Sequence, residues 1–302
     1  MKAYVGVTDQ KWYQYLSDKG FDEINFWRPG GSSAFKSLEA GELFLFKLHA
    51  PQNYIVGGGF FTRFSILPTF LAWDAFGPKN GAATFREFEE SIRKYKGAND
   101  SNPQIGCIIL SAPFFFPRED WIPVPADWKL NIVQGKSYDE TTHEGRRLLD
   151  AVMERMPRVQ PEEASEDPAV RYGYSMAPYR IGQGAFKVMV ADAYNRRCAI
   201  SEERTLPVLE AAHIIPFSAE GSSNAVTNGM LLRRDIHTLF DQGYITITAD
   251  YHIEVSPRLR DDYGNGRIYY AYHGLLLPNM PARREERPAV DALQWHNNRV
   301  YR

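Results

Sequence analysis

LEAAHIIPFSAEGSSNAVTNGMLLRRDIHTLFDQGY, from Leu209 to Tyr244, places histidines and acidic residues at the joints between short apolar runs. His213 lies in the first apolar run, and Asn228 begins the next element after a polar loop. His237 and Asp241 are four residues apart, so a helix would present both side chains on one face, close enough to share one cation. This order of strand, loop, and then strand or helix is typical of a compact metal-dependent site.

The side chains of this stretch suit hydrolysis of a phosphodiester bond. That reaction needs a base to activate water and a divalent cation to stabilise charge on the phosphate and the leaving oxygen. Histidine suits the role of base because its unperturbed pKa lies near neutrality. His237 and Asp241 together offer mixed nitrogen and oxygen ligands for a cation. Asn228 is neutral, and we expect it to orient the loop or the base through hydrogen bonds.

The motif AHIIP, then NG, then LLRRDIHTLFD resembles the signature of HNH (ββα-metal) endonucleases. Asn228 follows His213 by fifteen positions and His237 follows Asn228 by nine, in agreement with the spacing of that family. The flanking segment, Arg180–Glu203, is similar to the lead-in of HNH restriction enzymes, and the resemblance extends over residues 178–275. It implies a ββα-metal fold for the C-terminal part of the chain.

By position, the resemblance makes His213 the general base, Asn228 the loop-orienting asparagine and His237 a metal ligand. Asp241 falls where a further ligand of the family often lies. The resemblance also implies a divalent metal ion as cofactor, Mg²⁺ or Mn²⁺ before others, and double-stranded DNA as substrate.

One departure from the family concerns the residue before the base. Members commonly carry Asp or His there, and this chain has Ala212. Glu210, a neighbour on the predicted strand, is the candidate replacement as a metal ligand; alternatively, water and phosphate complete the metal shell. Three arginines are candidates for contacts with DNA phosphates: Arg180, Arg233 and Arg234.

Length and composition set wider limits. The 302 residues favour two domains, and a hydrophobic content of 44% is enough to build their cores. The net charge of −2 neither supports nor excludes DNA as a partner. Cys107 and Cys198 form no CxxC pair, which argues against a disulfide scaffold and a cysteine zinc ribbon. No apolar run reaches the roughly 18 residues of a membrane span, so we expect a soluble cytoplasmic protein.

The chain is predicted to be α+β and to divide into two domains. The acidic segment PRVQPEEASEDPAV has little to bury and predicts a linker over residues 157–172. It would separate an N-terminal domain, 1–156, from a C-terminal nuclease domain, 173–302. Apolar runs and helical spacing predict these elements: strands Leu43–Leu48, Tyr54–Phe61 and Ile105–Leu110, extended pieces 206–215 and 243–255, and helices Thr84–Lys96, Tyr138–Met156, Gly184–Asn195 and near Leu231–Phe240.

The segment NFWRPGGSSAFKSLEAGELFLFKLH, Asn25–His49, resembles the EVE branch of the PUA-like superfamily, whose relatives include YTH and ASCH domains. In that branch a tryptophan precedes a Gly/Ser-rich turn, which leads to a helix and then to a strand. The matching residues are Trp27, Ser32, Ser33 and the run Gly41–Phe44. The resemblance implies a PUA-like mixed β-barrel or sheet with helices for the N-terminal domain.

Domains of this kind are similar in holding a modified, flipped-out base in an aromatic pocket. Stacking on aromatic rings offsets the few kcal/mol that extraction of the base costs. Trp27 is then predicted as a pocket wall and Ser32 or Ser33 as polar contacts, with Trp73 and Trp121 as further candidates. Together the two resemblances imply a modification-dependent restriction endonuclease of phage defence that reads 5-methylcytosine or 5-hydroxymethylcytosine.

Two alternatives stay open on sequence alone. In the first, the N-terminal domain of an HNH nuclease reads RNA or another base. In the second, the chain is a nucleic-acid-binding protein with a decayed site, for which Ala212 is the one warning. Because one HNH site cuts one strand, double-strand cleavage would favour a homodimer or two molecules acting together.

Overall fold

Strands and helices are mixed in both halves of the chain, which confirms the predicted α+β class. The chain forms two compact units, Met1–Gly182 and Gln183–Arg302. The predicted linker over 157–172 lies outside the described residues. No helix in the described part of the chain is long and apolar enough to cross a membrane. The structure is a computed structural model, and it describes residues 1–30, 34–96, 103–129, 131–156 and 181–302.

The N-terminal unit is built on one mixed sheet. Its order is β2-β5-β4-β3-β1-β7, with β6 paired to the start of β4. Strands β1 and β3 run parallel, and the other neighbours are antiparallel. The strands are β1 (Lys2–Thr8), β2 (Glu23–Arg28), β3 (Leu43–Leu48), β4 (Tyr54–Pro68), β5 (Gln104–Phe115), β6 (Ile122–Pro123) and β7 (Gly135–Asp139).

The two ends of this sheet approach each other at one point. Arg28, the last residue of β2, donates from Nη2 to Oε1 of Gln134, immediately before β7, at 3.0 Å. A flat sheet would hold β2 and β7 about 24 Å apart, at about 4.8 Å for each strand spacing. The sheet is therefore strongly curved, between an open sheet and a barrel.

The helices that cover the sheet are α1 (Gln10–Ser17), α2 (Thr69–Phe76), α3 (Phe85–Lys96) and α4 (His143–Arg155). Polar side chains cap the first turns of α1, α3 and α4. Asp9 accepts from the N–H of Trp12 at 2.8 Å. Thr84 accepts from the N–H of Glu87 at 3.3 Å and so caps α3.

Strand β3 shows how the sheet divides the core of this unit, because successive side chains of a strand point to opposite faces. Phe44 and Phe46 join an aromatic cluster on one face, where both contact the ring of Phe26. Leu43 and Leu45 join an aliphatic cluster on the other face, which includes the buried leucines of α4. The predicted continuous apolar run therefore serves two cores.

The predicted elements are found with one correction in this unit. The run Leu43–Leu48 is β3, and β4 and β5 extend the other two predicted strands. The helix predicted from Tyr138 was wrong at its start, because Tyr138 belongs to β7 and pairs with Ala3 of β1. The helix begins only at His143, after Thr142 has capped it by accepting from the N–H of Gly145.

The C-terminal unit contains the predicted ββα arrangement. Strand β8 (Leu209–His213) pairs antiparallel with β9 (Gly229–Arg233), and α6 (Arg234–Asp241) follows directly. The helix predicted near Leu231–Phe240 was wrong for its first turn, since residues 231–233 pair with β8. The other elements are α5 (Gln183–Ala193), β10 (Ile245–Ile247), β11 (Ile253–Val255), α7 (Arg258–Tyr263), α8 (Arg267–Tyr270) and α9 (Val290–Arg299).

His296 in α9 attaches the end of the chain to the ββα core. Its ring is buried and stacks on that of Phe240, with centroids 3.7 Å apart. Nε2 donates to the carbonyl of Phe240 at 3.1 Å, and Nδ1 lies 2.8 Å from the hydroxyl of Thr246. Burial lowers the pKa of His296 to about 4, so the folded unit holds this ring neutral at neutral pH.

We predict that His296 makes the C-terminal unit sensitive to acid. In the unfolded chain a histidine takes up a proton near pH 6.5, whereas the folded ring resists it until about pH 4. Stability is therefore present above pH 6.5 and is lost as the pH falls, by about 2 kcal/mol between pH 7 and pH 5. Hydrogen exchange of the α9 amides should show this loss in the native chain but not in His296→Phe. An equal loss in the variant would contradict the assignment.

Candidate active site

His213 stands at the end of β8, opposite Gly229 of β9. Its ring stacks on Phe186 of α5, with centroids 3.9 Å apart and planes 15° apart. Its Nε2 lies 2.8 Å from Oδ1 of Asn224. Because a carboxamide oxygen only accepts, Nε2 carries the proton and Nδ1 is left with a free lone pair. The ring is thus fixed both in orientation and in tautomer.

The side chain of Asn228 makes hydrogen bonds to the backbone of the loop between β8 and β9. Its Oδ1 accepts from the N–H of Ile215 at 2.8 Å, and its Nδ2 donates to the carbonyl of Ile215 at 3.1 Å. Nδ2 also donates to the carbonyl of Ser223 at 3.0 Å. The side chain is buried. These bonds close the loop that begins directly after His213 and that contains Asn224.

His237 lies on α6 between two carboxylates. Its Nδ1 is 2.8 Å from Oε2 of Glu210 on β8, and its Nε2 is 3.3 Å from Oδ2 of Asp241, one helical turn later. The second oxygen of Glu210 accepts from Nε of Arg234 at 2.7 Å. Both carboxylate oxygens of Glu210 are therefore engaged with side chains of α6.

The two carboxylates differ in their electrostatics. Burial alone would raise the pKa of Glu210, but hydrogen bonds from His237 and Arg234 hold that pKa below its ordinary value. Burial and the nearby charge of Glu210 raise the pKa of Asp241, although His237 and His213 act in the opposite direction. Asp241 is thus the acid of this cluster that lacks a full positive counter-charge.

The donor set fits a divalent cation. Burial and the neighbouring Glu210 raise the pKa of Asp241, and a cation bound beside it would lower that pKa again. Imidazole nitrogen and carboxylate oxygen also suit Mn²⁺ and related ions. Among the described residues, no set of three or more His, Cys, Asp or Glu side chains forms a ready-made metal site. Nε2 of His237 and the carboxylate of Asp241 are the two neighbouring donors that could hold such an ion.

The predicted arginines differ in their surroundings. Arg233 makes two hydrogen bonds to Asp235, from Nε at 2.6 Å and from Nη2 at 2.8 Å. Tyr269 also donates to Asp235, so the guanidinium of Arg233 belongs to a structural cluster. Arg234 is 66% exposed and contacts Glu210. Arg180 lies outside the described residues.

A cavity of about 330 Å³ opens in the N-terminal unit near the meeting point of β2 and β7. Trp27 lines it, together with Tyr95, Arg28 and Gln134. The rings of Trp27 and Tyr95 lie edge to face, with centroids 6.2 Å apart. Aromatic walls beside polar groups are the usual composition of a ligand pocket.

Trp73 and Trp121, the other predicted aromatic pocket residues, lie outside this cavity. Trp73 packs on Phe88 beside α3 and does not line this cavity. Trp121 donates to the carbonyl of Phe116 and packs on Tyr13, also away from the cavity. Ser32 and Ser33 lie outside the described residues. Of the predicted aromatic wall, only Trp27 is therefore found at this cavity.

The sequence analysis missed two residues that the structure brings to these sites. Asn224 contacts His213, but in sequence it is one polar residue in a Ser- and Asn-containing loop. Tyr95 lies on the apolar face of the predicted helix Thr84–Lys96, which predicts a buried side chain. In the structure Tyr95 is 61% exposed. The predicted loop-orienting role of Asn228 pointed to this loop but not to Asn224 in particular.

Comparison with known proteins agrees with the geometry of the C-terminal unit. Residues 198–248 match the family model HNH_2, described as an HNH endonuclease. The matched segment contains His213, Asn228, His237 and Asp241. With two paired strands followed by the helix that carries His237, the C-terminal unit is an HNH-type endonuclease domain.

Several solved structures are similar to this chain. ASCH from Zymomonas mobilis shares 10% identity, covers 49% of this chain and 94% of its own, and has a TM-score of 0.36. A mutant form of that protein covers 50% of this chain and 98% of its own, at 10% identity and a TM-score of 0.37. TagI, a modification-dependent restriction endonuclease, covers 97% of this chain and 81% of its own, at 12% identity and a TM-score of 0.30. No curated protein matched the sequence.

We predict that Asn228→Ala destabilises the C-terminal unit. The substitution leaves the N–H of Ile215 without its partner and removes one of the two donors to the carbonyl of Ile215, which costs about 1–3 kcal/mol of unfolding free energy. Denaturant unfolding of the full chain measures the change. Asn298→Ala, which alters an exposed asparagine of the same unit, is the matched control and should change stability by less than about 0.5 kcal/mol. Equal effects of the two substitutions would count against the role of Asn228.

Proposed function

We propose that this protein is a modification-dependent DNA endonuclease. The N-terminal unit binds a modified cytosine, and the HNH domain hydrolyses a phosphodiester bond of the same DNA. The observation that carries the proposal is the joint placement of His213, oriented by Asn224, and of His237, held between two carboxylates, in the segment that matches HNH endonucleases.

In this proposal His213 is the general base. Its Nδ1 takes a proton from the attacking water, while the Nε2–H stays bonded to Asn224. Stacking on Phe186 prevents the ring from turning away, so little reorganisation precedes the step. Asn228 acts indirectly, because its bonds to Ile215 hold the loop that supplies Asn224.

His237 and Asp241 would hold a divalent ion, Mg²⁺ or Mn²⁺. When bound, that ion neutralises charge on the phosphate and on the leaving oxygen. Glu210 fixes the proton on Nδ1 of His237 and so keeps the Nε2 lone pair available. This role suits Glu210 better than direct ligation, since both of its oxygens already accept hydrogen bonds. Arg234 and Arg180 are the proposed phosphate contacts, and the bonds of Arg233 to Asp235 favour a structural role for it.

For the N-terminal unit we propose that the cavity beside Trp27 accepts a flipped-out 5-methylcytosine or 5-hydroxymethylcytosine. Trp27 would stack on the base, Tyr95 would contact the edge of the base, and Arg28 and Gln134 would offer polar contacts at the rim. Each stacked aromatic ring is worth about 1–3 kcal/mol, which offsets the few kcal/mol needed to extract a base. Two copies of the chain would be needed to cut both strands, and a cytoplasmic location is part of this proposal.

We predict metal-dependent cleavage that depends on His213. Duplexes carrying cytosine, 5-methylcytosine or 5-hydroxymethylcytosine are incubated with Mg²⁺ or Mn²⁺, and the initial rates are compared. Only the modified duplexes should be cut, and His213→Ala should lower the rate about 10²–10⁴-fold. Equal cutting of all three duplexes would overturn the modified-cytosine reader and keep the nuclease. Absence of cutting with every metal would overturn the proposed activity.

The role of Asn224 gives a prediction about pH. In Asn224→Asp, a carboxylate facing Nε2 stabilises the protonated ring of His213. The pH below which cleavage falls should therefore move upward in this variant. Asn224→Ala should lower the rate at all pH values by about tenfold through loss of orientation. An unchanged pH profile in Asn224→Asp would show that Asn224 does not face the base during the reaction.

The cavity gives a matched pair of variants. Tyr95→Ala removes an exposed side chain that lines the cavity. It should weaken the binding of modified duplexes by about 10- to 100-fold, so that the preference for them is lost while the chain stays folded. Tyr54→Ala is the control, because Tyr54 is 39% exposed in the same unit and does not line the cavity. Fluorescence anisotropy with modified and plain duplexes measures both. Equal losses from the two variants would contradict the assignment of the cavity.

A further inference from the structure

A second concave site lies in the C-terminal unit, at the loop that joins α7 to α8. This cavity has a volume of about 390 Å³. Its lining contains two guanidinium groups and one carboxamide, and no carboxylate. The lining residues are Pro257, Arg260, Gly264, Asn265, Arg267 and Tyr270.

Both arginines of this cavity are available to a ligand. Arg260 is 70% exposed, and its Nε lies 3.8 Å from Asp261, which is beyond hydrogen-bonding distance. Arg267 is exposed, and within the described ranges of the chain its guanidinium has no hydrogen bond and no ion pair. Arg233, in contrast, is fully engaged by Asp235. The cavity thus concentrates positive charge that the protein neutralises only in part, through the ion pair of Arg260 with Asp261.

The loop is held in shape before any ligand binds. Gly264 and Gly266 have φ angles of 67° and 103°, conformations that glycine adopts far more readily than other residues. The hydroxyl of Tyr270 donates to the carbonyl of Ser256 at 2.9 Å and accepts from the N–H of Arg260 at 3.0 Å. This fixes the backbone of α7 against α8, so the backbone that carries the two arginines needs little ordering on binding.

The cavity is also connected to the helix of the active site. Tyr269 of α8 donates to Oδ2 of Asp235 at 3.1 Å. Asp235 lies in the first turn of α6, two residues before His237. The arginine-lined loop and the metal-ligating helix are therefore held together within one compact unit.

We propose that this cavity, named the Arg260–Arg267 site, binds a phosphate group of the DNA backbone. Guanidinium groups match phosphate oxygens with paired hydrogen bonds, and the carboxamide of Asn265 can donate a further one. Such a contact carries no sequence information; it fixes the duplex against the nuclease domain while the cut is made. The inference rests on the proposed function, because it takes the phosphate to belong to DNA.

The test is duplex binding by the full chain, measured by fluorescence anisotropy in EDTA at several NaCl concentrations. The double variant Arg260→Gln/Arg267→Gln should bind a plain duplex about tenfold more weakly than the native chain in ~0.1 M salt. The slope of log affinity against log salt should become shallower by about 1, since one phosphate contact is lost. Arg283→Gln, which alters an exposed arginine of the same unit outside the cavity, should change neither quantity. Thermal unfolding checks that all variants are folded.

The outcomes separate this inference from the proposed function. A native chain that binds duplex, with unchanged affinity and slope in the double variant, overturns the site alone, as does an equal loss in Arg283→Gln. A native chain that binds neither the plain duplex nor a duplex with 5-methylcytosine or 5-hydroxymethylcytosine overturns the proposed function and, with it, DNA as the ligand. A second arm then uses inorganic phosphate, followed by ³¹P NMR: binding that the double variant loses would assign the site to free phosphate, and no binding would overturn it entirely.

Discussion

Asn228 binds the backbone of Ile215 with both ends of its carboxamide, and the geometry of the nuclease site depends on that contact. The loop after β8 carries no strand of its own, and Asn228 also donates to the carbonyl of Ser223, the residue directly before Asn224. With the loop closed, Asn224 meets Nε2 of His213. The buried side chain of Asn228 thus helps to place Asn224, and Asn224 determines which ring nitrogen of His213 keeps a free lone pair.

A second dependence links strand to helix. Glu210 is on β8 and His237 is on α6, and their hydrogen bond holds the imidazole of His237 at a fixed place relative to the strand that ends at His213. Arg234 supports the same carboxylate from the helix side. The proposed base and the proposed metal ligand His237 are therefore both positioned from β8, and in our proposal Glu210 supports His237 instead of binding the metal.

The sequence predicted much of the fold and less of the sites, for physical reasons. Continuous apolar runs and helical spacing are local signals, so β3 and the start of α3 were found within one residue. Tyr138 was misplaced because only pairing with β1, far away in the chain, makes that segment a strand. Asn224 and Tyr95 were missed for the same reason, since their roles arise from tertiary contacts. Trp73 and Trp121 show the converse: aromatic residue type alone does not determine which cavity a ring reaches.

The curved sheet of the N-terminal unit has a consequence for how a ligand would enter. In the described part of the chain, β2 and β7 share no backbone ladder, and the side chains of Arg28 and Gln134 bridge them where the cavity opens. Parting the two edges there would break one exposed side-chain hydrogen bond while every strand pairing stayed intact. The mouth of the cavity therefore lies where the sheet has no backbone pairing. A planar ligand that entered there would leave every strand pairing in place.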